Sequence, residues 1–208
     1  ALLPTGDALT RLDVAGFGQI EATLIDVGNA SVFIRAADVG LKGTETAAEI
    51  DADRDLARRL EAIRSAAAHA MGMVDDPAKA TAETPATPIL GMFAPPGDYP
   101  NALAGGMVAG DDVDFCARLM FMQQMHKTYA GTSTVATGVA AKIPGSIVYE
   151  AARPDSRERP LARIGHPAGV IETEAIVRPD GNGYRVERAT LGRTARRIME
   201  GYVFPPER

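Results

Sequence analysis

The sequence is poor in aromatic residues and in metal-binding side chains. Only 5% of its 208 residues are aromatic and tryptophan is absent, although 46% are hydrophobic. Ala, Val, Leu, Ile and Met must therefore fill the core. The single cysteine, Cys116, excludes an internal disulfide and a thiolate metal cluster. The three histidines are far apart and lack metal-ligand spacing, so the sequence predicts no metal site.

Clusters of positive charge and long apolar runs are also missing. The formal net charge of −5 disfavours a nucleic acid or an anionic membrane as the partner. The sequence has no run of about 20 apolar residues that would span a membrane, and it shows no secretory signal pattern. These absences predict a soluble cytoplasmic protein. The chain begins at Ala1 within a loop-like stretch, and we expect a further N-terminal portion to precede it.

The most informative stretch is residues 126–145, in which polar donors precede an almost uncharged run of small residues. This pattern predicts a helix over residues 134–143, ended by a Pro-Gly pair. A helix without a charged face is buried, so its N–H groups and positive dipole end suit a carboxylate or a phosphate. The hydroxyls of Thr132 and Ser133 can add hydrogen bonds or serve as the N-cap. The alternative is an ordinary N-cap before a core helix.

Hydrophobic periodicity along the rest of the chain predicts an α+β fold. The Gly28-Asn29 pair marks the turn of a β-hairpin. The predicted strands are 20–27, 31–35, 89–94, 146–150, 161–164, 170–177 and 184–191, and the further predicted helices are 51–71 and 111–124. Residues 193–199 fit a strand or a helix. The elements together predict a curved, mostly antiparallel sheet or barrel around one central helix.

Five stretches in the expected order resemble one known family. The resemblance is to the 2-methylaconitate cis-trans isomerase (PrpF) family, within the diaminopimelate epimerase-like fold, and it covers nearly the whole chain. The stretches are Leu3–Gly6, Ile25–Phe33, Phe93–Tyr99, residues 126–145 and Ile164–Gly169. The resemblance implies two similar lobes, each a curved sheet around a central helix, with an active site where the N-termini of the two central helices converge. Residues 1–208 would form the C-terminal lobe, without the first lobe.

The resemblance also assigns roles to particular residues. Gly28-Asn29 matches a Gly-Asn pair that binds substrate in the wider fold. Residues 130–133 resemble a Cys-Gly-Thr/Ser turn in which epimerases use the cysteine as an acid/base. Ala130 stands at that position, and alanine carries no proton, which excludes a symmetric two-cysteine racemase. The resemblance implies instead that a lysine and a cysteine of the first lobe transfer the proton, without a cofactor.

We predict that six residues bind the substrate. They are Asn29, His126, Gly131, Thr132, Ser133 and His166. His126 precedes the helix start, and a structural role is its alternative. His166 lies in a Gly-His-Pro turn, where the alternative is a histidine that bonds the backbone. We predict that Cys116 is a buried, inert side chain.

The resemblance implies an isomerase that moves a proton on an unsaturated tricarboxylate. The stretch Phe93–Tyr99 favours 2-methylaconitate as the substrate. Tautomerisation of 4-oxalomesaconate and isomerisation of aconitate are the alternatives. A non-catalytic lobe that binds a carboxylate or has a structural role is an alternative of another class. We also expect a partner, either the first lobe or a second copy, to cover the apolar face of the cleft.

Overall fold

The computed structural model describes residues 1–181, 183–192 and 195–206. Its strands are β1 (Thr10–Val14), β2 (Gly18–Val27), β3 (Asn29–Arg35), β4 (Ile89–Ala94), β5 (Tyr99–Pro100), β6 (Met107–Val108), β7 (Phe115–Phe121), β8 (Gln124–Met125), β9 (Leu161–His166), β10 (Gly169–Asp180) and β11 (Gly183–Leu191). Its α-helices are α1 (Ala47–Ala52), α2 (Arg54–Ala70), α3 (Ala80–Glu83), α4 (Gly131–Ala140), α5 (Ile147–Ala151) and α6 (Pro154–Glu158). Single 3-10 turns occupy Ala36–Val39, Pro77–Lys79 and Gly110–Asp112.

One large sheet organises the fold. Its strand order is β1-β2-β3-β4-β7-β9-β10-β11, with β8 paired to β7. The neighbouring strands are antiparallel except for the parallel pairs β3–β4 and β7–β9, which confirms the predicted mostly antiparallel sheet. Within the described residues, β1 and β11 end the path without pairing to each other. The sheet is therefore open. The alternative prediction of a closed barrel is wrong.

Helix α4 lies in the concave face of this sheet. It packs on β2 and β3 near one end of the strand path and on β10 and β11 at the other end. A sheet that touches one helix with both ends must curve around it, which confirms the predicted central helix. Gly138 lets β10 approach closely, because a Cβ added there would lie 2.6 Å from Oγ1 of Thr173.

Helix α2 covers the opposite face of the sheet. Its apolar stripe packs with side chains of β1, β3 and β4 in a second core; the stripe consists of Leu56, Leu60, Ile63 and Ala67. The predicted helix 51–71 is interrupted at Asp53, whose Oδ1 accepts hydrogen bonds from the N–H groups of Asp55 and Leu56. This N-cap starts α2. In the described part of the chain, no helix is both long and apolar enough to cross a membrane.

The predicted helix 111–124 is wrong. Residues 115–121 form β7, which pairs with β4 on one side and with β9 on the other. Because β7 is buried on both faces, its residues lack the alternation of a half-exposed strand, and their spacing imitates a helix. Cys116 consequently lies in a central strand. The acidic Asp114 accepts hydrogen bonds from Arg159 and Arg163 and is not part of a helix N-terminus.

The predicted strand 146–150 is also wrong, because Ser146 starts helix α5. Its Oγ accepts a hydrogen bond from the N–H of Tyr149 at 3.1 Å, as an N-cap does. The Val and Ile content that favours a strand serves here to bury Ile147 and Val148 against the sheet. Of the undecided segment 193–199, Arg193 and Thr194 lie outside the described residues, and residues 195–199 form neither a helix nor a strand.

Candidate functional site

The first turn of α4 has no side-chain cap. The helix begins at Gly131 and ends at Ala140, three residues before each predicted bound. Its N-cap is Ala130, whose backbone is extended and whose methyl group accepts no hydrogen bond. The prediction of Thr132 or Ser133 as the N-cap is therefore wrong, because both lie inside the helix. The N–H groups of this turn and the positive end of the helix dipole can serve an anion.

Ser133 carries a hydroxyl without a partner in this turn. Its side chain is fully buried, and its Oγ has no hydrogen bond to any described residue. Such a hydroxyl costs about 1–3 kcal/mol of stability when it is left unpaired. The preceding residue, Thr132, is exposed and Gly131 is half-buried, so the turn reaches the surface. A ligand oxygen at this turn would satisfy the Ser133 hydroxyl.

The hairpin between β2 and β3 places Asn29 beside the same turn. Nδ2 of Asn29 donates a hydrogen bond to Oγ1 of Thr132 at 3.3 Å, across 103 positions in the sequence. Gly28 makes this approach possible, since its φ is +68° and a Cβ there would lie 3.3 Å from the carbonyl oxygen of Thr132. The structure thus brings together four of the six predicted site residues, namely Asn29, Gly131, Thr132 and Ser133.

His166 ends β9 on the side of the sheet that faces α4. Its ring centroid lies 6.1 Å from that of Tyr129, whose hydroxyl contacts Oγ1 of Thr137 in α4 at 2.8 Å. Its Nδ1 accepts a hydrogen bond from the N–H of Ala168 at 3.2 Å, so the ring proton sits on Nε2. Burial, together with the smaller effects of the positive charges of Arg118 and His126, lowers the pKa of His166 to about 4. At neutral pH His166 is an uncharged donor.

His126 repeats this arrangement at the loop before α4. Its Nδ1 accepts a hydrogen bond from the N–H of Thr128 at 3.1 Å, which again leaves the ring proton on Nε2 of the neutral form. The ring is half-buried, and its charge contributes to the lowered pKa of His166. Both histidines therefore bond the backbone, as the alternative interpretation of His166 expects. No described residue accepts a hydrogen bond from Nε2 of either ring. Lys127 is exposed.

Some residues around the site were not predicted from the sequence. Tyr129 is buried and joins α4 to His166, and its position directly before the N-cap was the available signal. Arg118 is also buried, and it lies in strand β7 instead of the predicted helix 111–124. Cys116 is buried with its Sγ near the carbonyl oxygen of Gly97, and burial raises the pKa of this thiol. Among the described residues, no group of three or more His, Cys, Asp or Glu is arranged to hold a metal ion.

The pKa of His166 predicts a loss of stability in acid. The native pKa is about 4, whereas an unfolded histidine titrates near 6.5. Between these values the unfolded chain binds more protons, so the free energy of unfolding falls as the pH drops through this window. We expect His166 to contribute a loss on the order of 2 kcal/mol between pH 7 and pH 4.5.

Urea unfolding of the wild type and of His166→Gln at pH 7, 5.5 and 4.5 measures this contribution. Glutamine keeps an N–H donor but does not titrate. The stability of His166→Gln should fall less in acid than that of the wild type. An equal fall in both proteins would contradict a buried, neutral His166.

Comparison with known proteins identifies the family. The family model described as "PrpF protein" matches residues 1–206. The chain belongs to the PrpF family. It is 46% identical over 203 residues to the 3-methylitaconate isomerase of Eubacterium barkeri, covering 98% of this chain and 52% of that relative. It is 36% identical over 206 residues to the 2-methyl-aconitate isomerase of Shewanella oneidensis, covering 99% of this chain and 51% of that relative.

A solved structure supports the same relationship. The crystal structure of a methylitaconate-delta-isomerase superposes with a TM-score of 0.87 at 43% identity, and the match covers 97% of this chain and 51% of that protein. This similarity confirms the predicted fold class and the resemblance to the PrpF family. The chain spans about half the length of the curated relatives that it matches.

Proposed function

We propose that this chain is the C-terminal lobe of a PrpF-type isomerase that acts on an unsaturated tricarboxylate, with 2-methylaconitate as the first candidate substrate. The names of its relatives support the isomerase, since relatives that cover nearly the whole chain include isomerases of methylitaconate and methylaconitate. The single observation that carries the site is the uncapped first turn of α4, in which the Ser133 hydroxyl has no hydrogen-bond partner among the described residues.

The proposed reaction removes a proton beside a carboxylate and returns it to another carbon of the same unsaturated system. Negative charge spreads from the reacting carbon into that carboxylate in the transition state, and fixed donors stabilise it. The N–H groups of Gly131, Thr132 and Ser133 hold one substrate carboxylate. The side-chain amide of Asn29 and the Nε2–H groups of His126 and His166 bind the others. A donor such as His166, which stays neutral above about pH 4, holds a carboxylate without giving up its proton.

The groups that transfer the proton are proposed to lie in the other lobe. Ala130 occupies the position at which the wider fold carries an acid/base cysteine, and its methyl group transfers no proton. The resemblance to the PrpF family instead implies a lysine and a cysteine from the first lobe, with no cofactor. In this proposal the described lobe binds and orients the carboxylates, while the chemistry takes place across the cleft.

The substrates that compete with 2-methylaconitate differ from it in their carboxylates, in a keto group or in the methyl group. 3-Methylitaconate is a dicarboxylate, and 4-oxalomesaconate is a tricarboxylate that carries an additional keto group; a relative with 35% identity is an oxalomesaconate isomerase. Aconitate lacks the methyl group of 2-methylaconitate. Ala130 also favours a second class of function, in which the lobe binds a carboxylate without catalysis.

Turnover of this panel tests the proposal directly. The protein expressed from its complete gene is incubated with each of the four compounds, and ¹H NMR follows the appearance of the isomer. We expect 2-methylaconitate to be converted with the highest kcat/KM. Faster conversion of 3-methylitaconate would replace the tricarboxylate by a dicarboxylate as the substrate. Binding of these compounds without any conversion would favour the non-catalytic lobe.

A further inference from the structure

The turn that carries His166 is anchored by other elements at three of its carbonyl oxygens. The hydroxyl of Tyr99 donates a hydrogen bond to the carbonyl oxygen of Gly169 at 2.6 Å. Nη1 of Arg118 lies 3.5 Å from the carbonyl oxygen of Gly165. The N–H of Ala102 donates a hydrogen bond to the carbonyl oxygen of Pro167 at 2.8 Å. Other parts of the chain thus hold the backbone on both sides of His166 and at the end of the turn.

Two of these anchors form a buried pair on the face of the sheet opposite to α4. Tyr99 is fully buried in the core beneath α2, and Arg118 is 1% exposed. The guanidinium carbon of Arg118 lies 5.1 Å from the centroid of the Tyr99 ring, within range of a cation–π interaction. The hydrogen bonds of Arg118 to described residues go to backbone carbonyl oxygens, namely those of Glu45, Ala117 and Gly165.

A buried guanidinium that bonds only backbone carbonyls is costly to keep. Desolvation disfavours the charged form, and burial accordingly lowers the pKa of Arg118. The close packing of the turn against Tyr99 indicates that the buried Arg118 helps to hold this turn. A Cβ added to Gly165 would lie 2.9 Å from the Tyr99 hydroxyl oxygen, and Gly169 has a φ of +127°. The turn therefore packs directly against Tyr99, with no room for a side chain at Gly165.

We infer that Tyr99 and Arg118 are positioning residues that hold the Nε2–H of His166 toward the carboxylate site. They act from behind the sheet and through the backbone of residues 165–169, without touching the ligand. When the turn is held, the N–H of Ala168 stays aligned with Nδ1 of His166, and the ring proton stays on Nε2. This inference rests on the proposed function, because it assumes that His166 binds a substrate carboxylate.

Tyr99→Phe tests the inference, since it removes the hydroxyl but keeps the ring against Arg118. Tyr149→Phe is the matched control, because the Tyr149 ring packs on Arg157 and lies on helix α5, whereas Tyr99 lies on strand β5. The protein is expressed from its complete gene. We expect the amide of Ala168 to exchange about fivefold to tenfold faster in Tyr99→Phe, since one hydrogen bond that holds the turn is lost. The ¹⁵N shifts of His166 should move toward a mixture of tautomers.

Ligand binding is the second measurement on Tyr99→Phe. Tricarballylate, a saturated tricarboxylate that cannot isomerise, should bind about fivefold to tenfold more weakly to Tyr99→Phe than to the wild type and to Tyr149→Phe. For a converted substrate, KM should rise more than kcat falls. A variant that only loses global stability would unfold at lower urea concentration but would keep the wild-type affinity and His166 shifts while folded.

The two kinds of measurement distinguish a wrong positioning role for Tyr99 and Arg118 from a wrong proposed function. Unchanged Ala168 exchange and unchanged His166 shifts in a folded Tyr99→Phe would overturn the positioning role, whatever the ligand does. No tricarballylate binding by the wild type would instead contradict the proposed function. If Tyr99→Phe does not fold, Arg118→Lys provides the same test. Lysine keeps the charge but cannot bridge the three carbonyl oxygens, so the same changes are expected.

Discussion

Replacing Thr132 by Asp is expected to weaken tricarboxylate binding by two orders of magnitude or more without destabilising the fold. Thr132 is exposed in the first turn of α4 and accepts a hydrogen bond from Asn29. An aspartate there can accept the same bond, and its charge interacts favourably with the helix dipole by about 0.3–1 kcal/mol. The same charge would lie within a few ångströms of the substrate carboxylate. Repulsion at about 4 Å near a protein surface is about 4 kcal/mol.

Thr132→Asn is the control for this variant. Asparagine has the shape of aspartate and keeps an acceptor oxygen, but it adds no charge. Calorimetric titration with tricarballylate measures affinity, and urea unfolding measures stability. We expect Thr132→Asn to bind within about tenfold of the wild type, and Thr132→Asp to bind far more weakly while remaining at least as stable. Equal affinities of the two variants would show that no carboxylate binds at this helix end.

Gly138→Ala is expected to destabilise the protein by about 1–3 kcal/mol. In an ordinary helix interior, this substitution stabilises by about 1 kcal/mol, because glycine loses more conformational freedom on folding. Here the added Cβ would lie 2.6 Å from Oγ1 and 2.8 Å from Cγ2 of Thr173 in β10. The sign of the effect therefore reports how tightly the sheet closes on α4.

A double-mutant cycle with Thr173→Ala separates the clash from other effects of the substitution. Removal of both Thr173 branch atoms should relieve the clash, so that Gly138→Ala costs less in the Thr173→Ala background than in the wild type. The hydrogen bond from Thr173 Oγ1 to the carbonyl oxygen of Thr190 is lost in both members of that comparison. Unfolding free energies from urea titration provide the measurement. An identical cost in both backgrounds would mean that β10 does not press on the helix at Gly138.

The central helix and the hairpin beside it were the parts of the fold most open to prediction from the sequence. An uncharged run of small residues had to be buried, and a Gly-Asn pair between two apolar runs had to turn. The position of the N-cap was less accessible, since Thr and Ser at 132 and 133 are better caps than Ala130. The helix starts before them because the extended backbone of Ala130 supplies the cap position, with no side-chain bond.

The wrong predictions for residues 111–124 and 146–150 share one physical cause, which is that tertiary burial sets the apolar content of both segments. Strand β7 lies between β4 and β9 and faces two cores, so its sequence has no period of two. The α5 segment Ile147–Ala151 is rich in apolar residues because it packs on the sheet, and only Ser146 signals the helix. The contact of Asn29 with Thr132 and the place of Arg118 behind His166 depend on tertiary structure alone, which no local pattern reveals.

A crystal structure of the protein from its complete gene, soaked with tricarballylate, shows whether a carboxylate binds at the start of α4. We expect one carboxylate at the start of α4, with its oxygens about 2.7–3.2 Å from N–H groups of Gly131–Ser133 and from Oγ of Ser133. The amide of Asn29 and Nε2 of His166 should face the remaining carboxylates. Tricarballylate bound elsewhere, with this helix end in contact with water or protein only, would contradict the account.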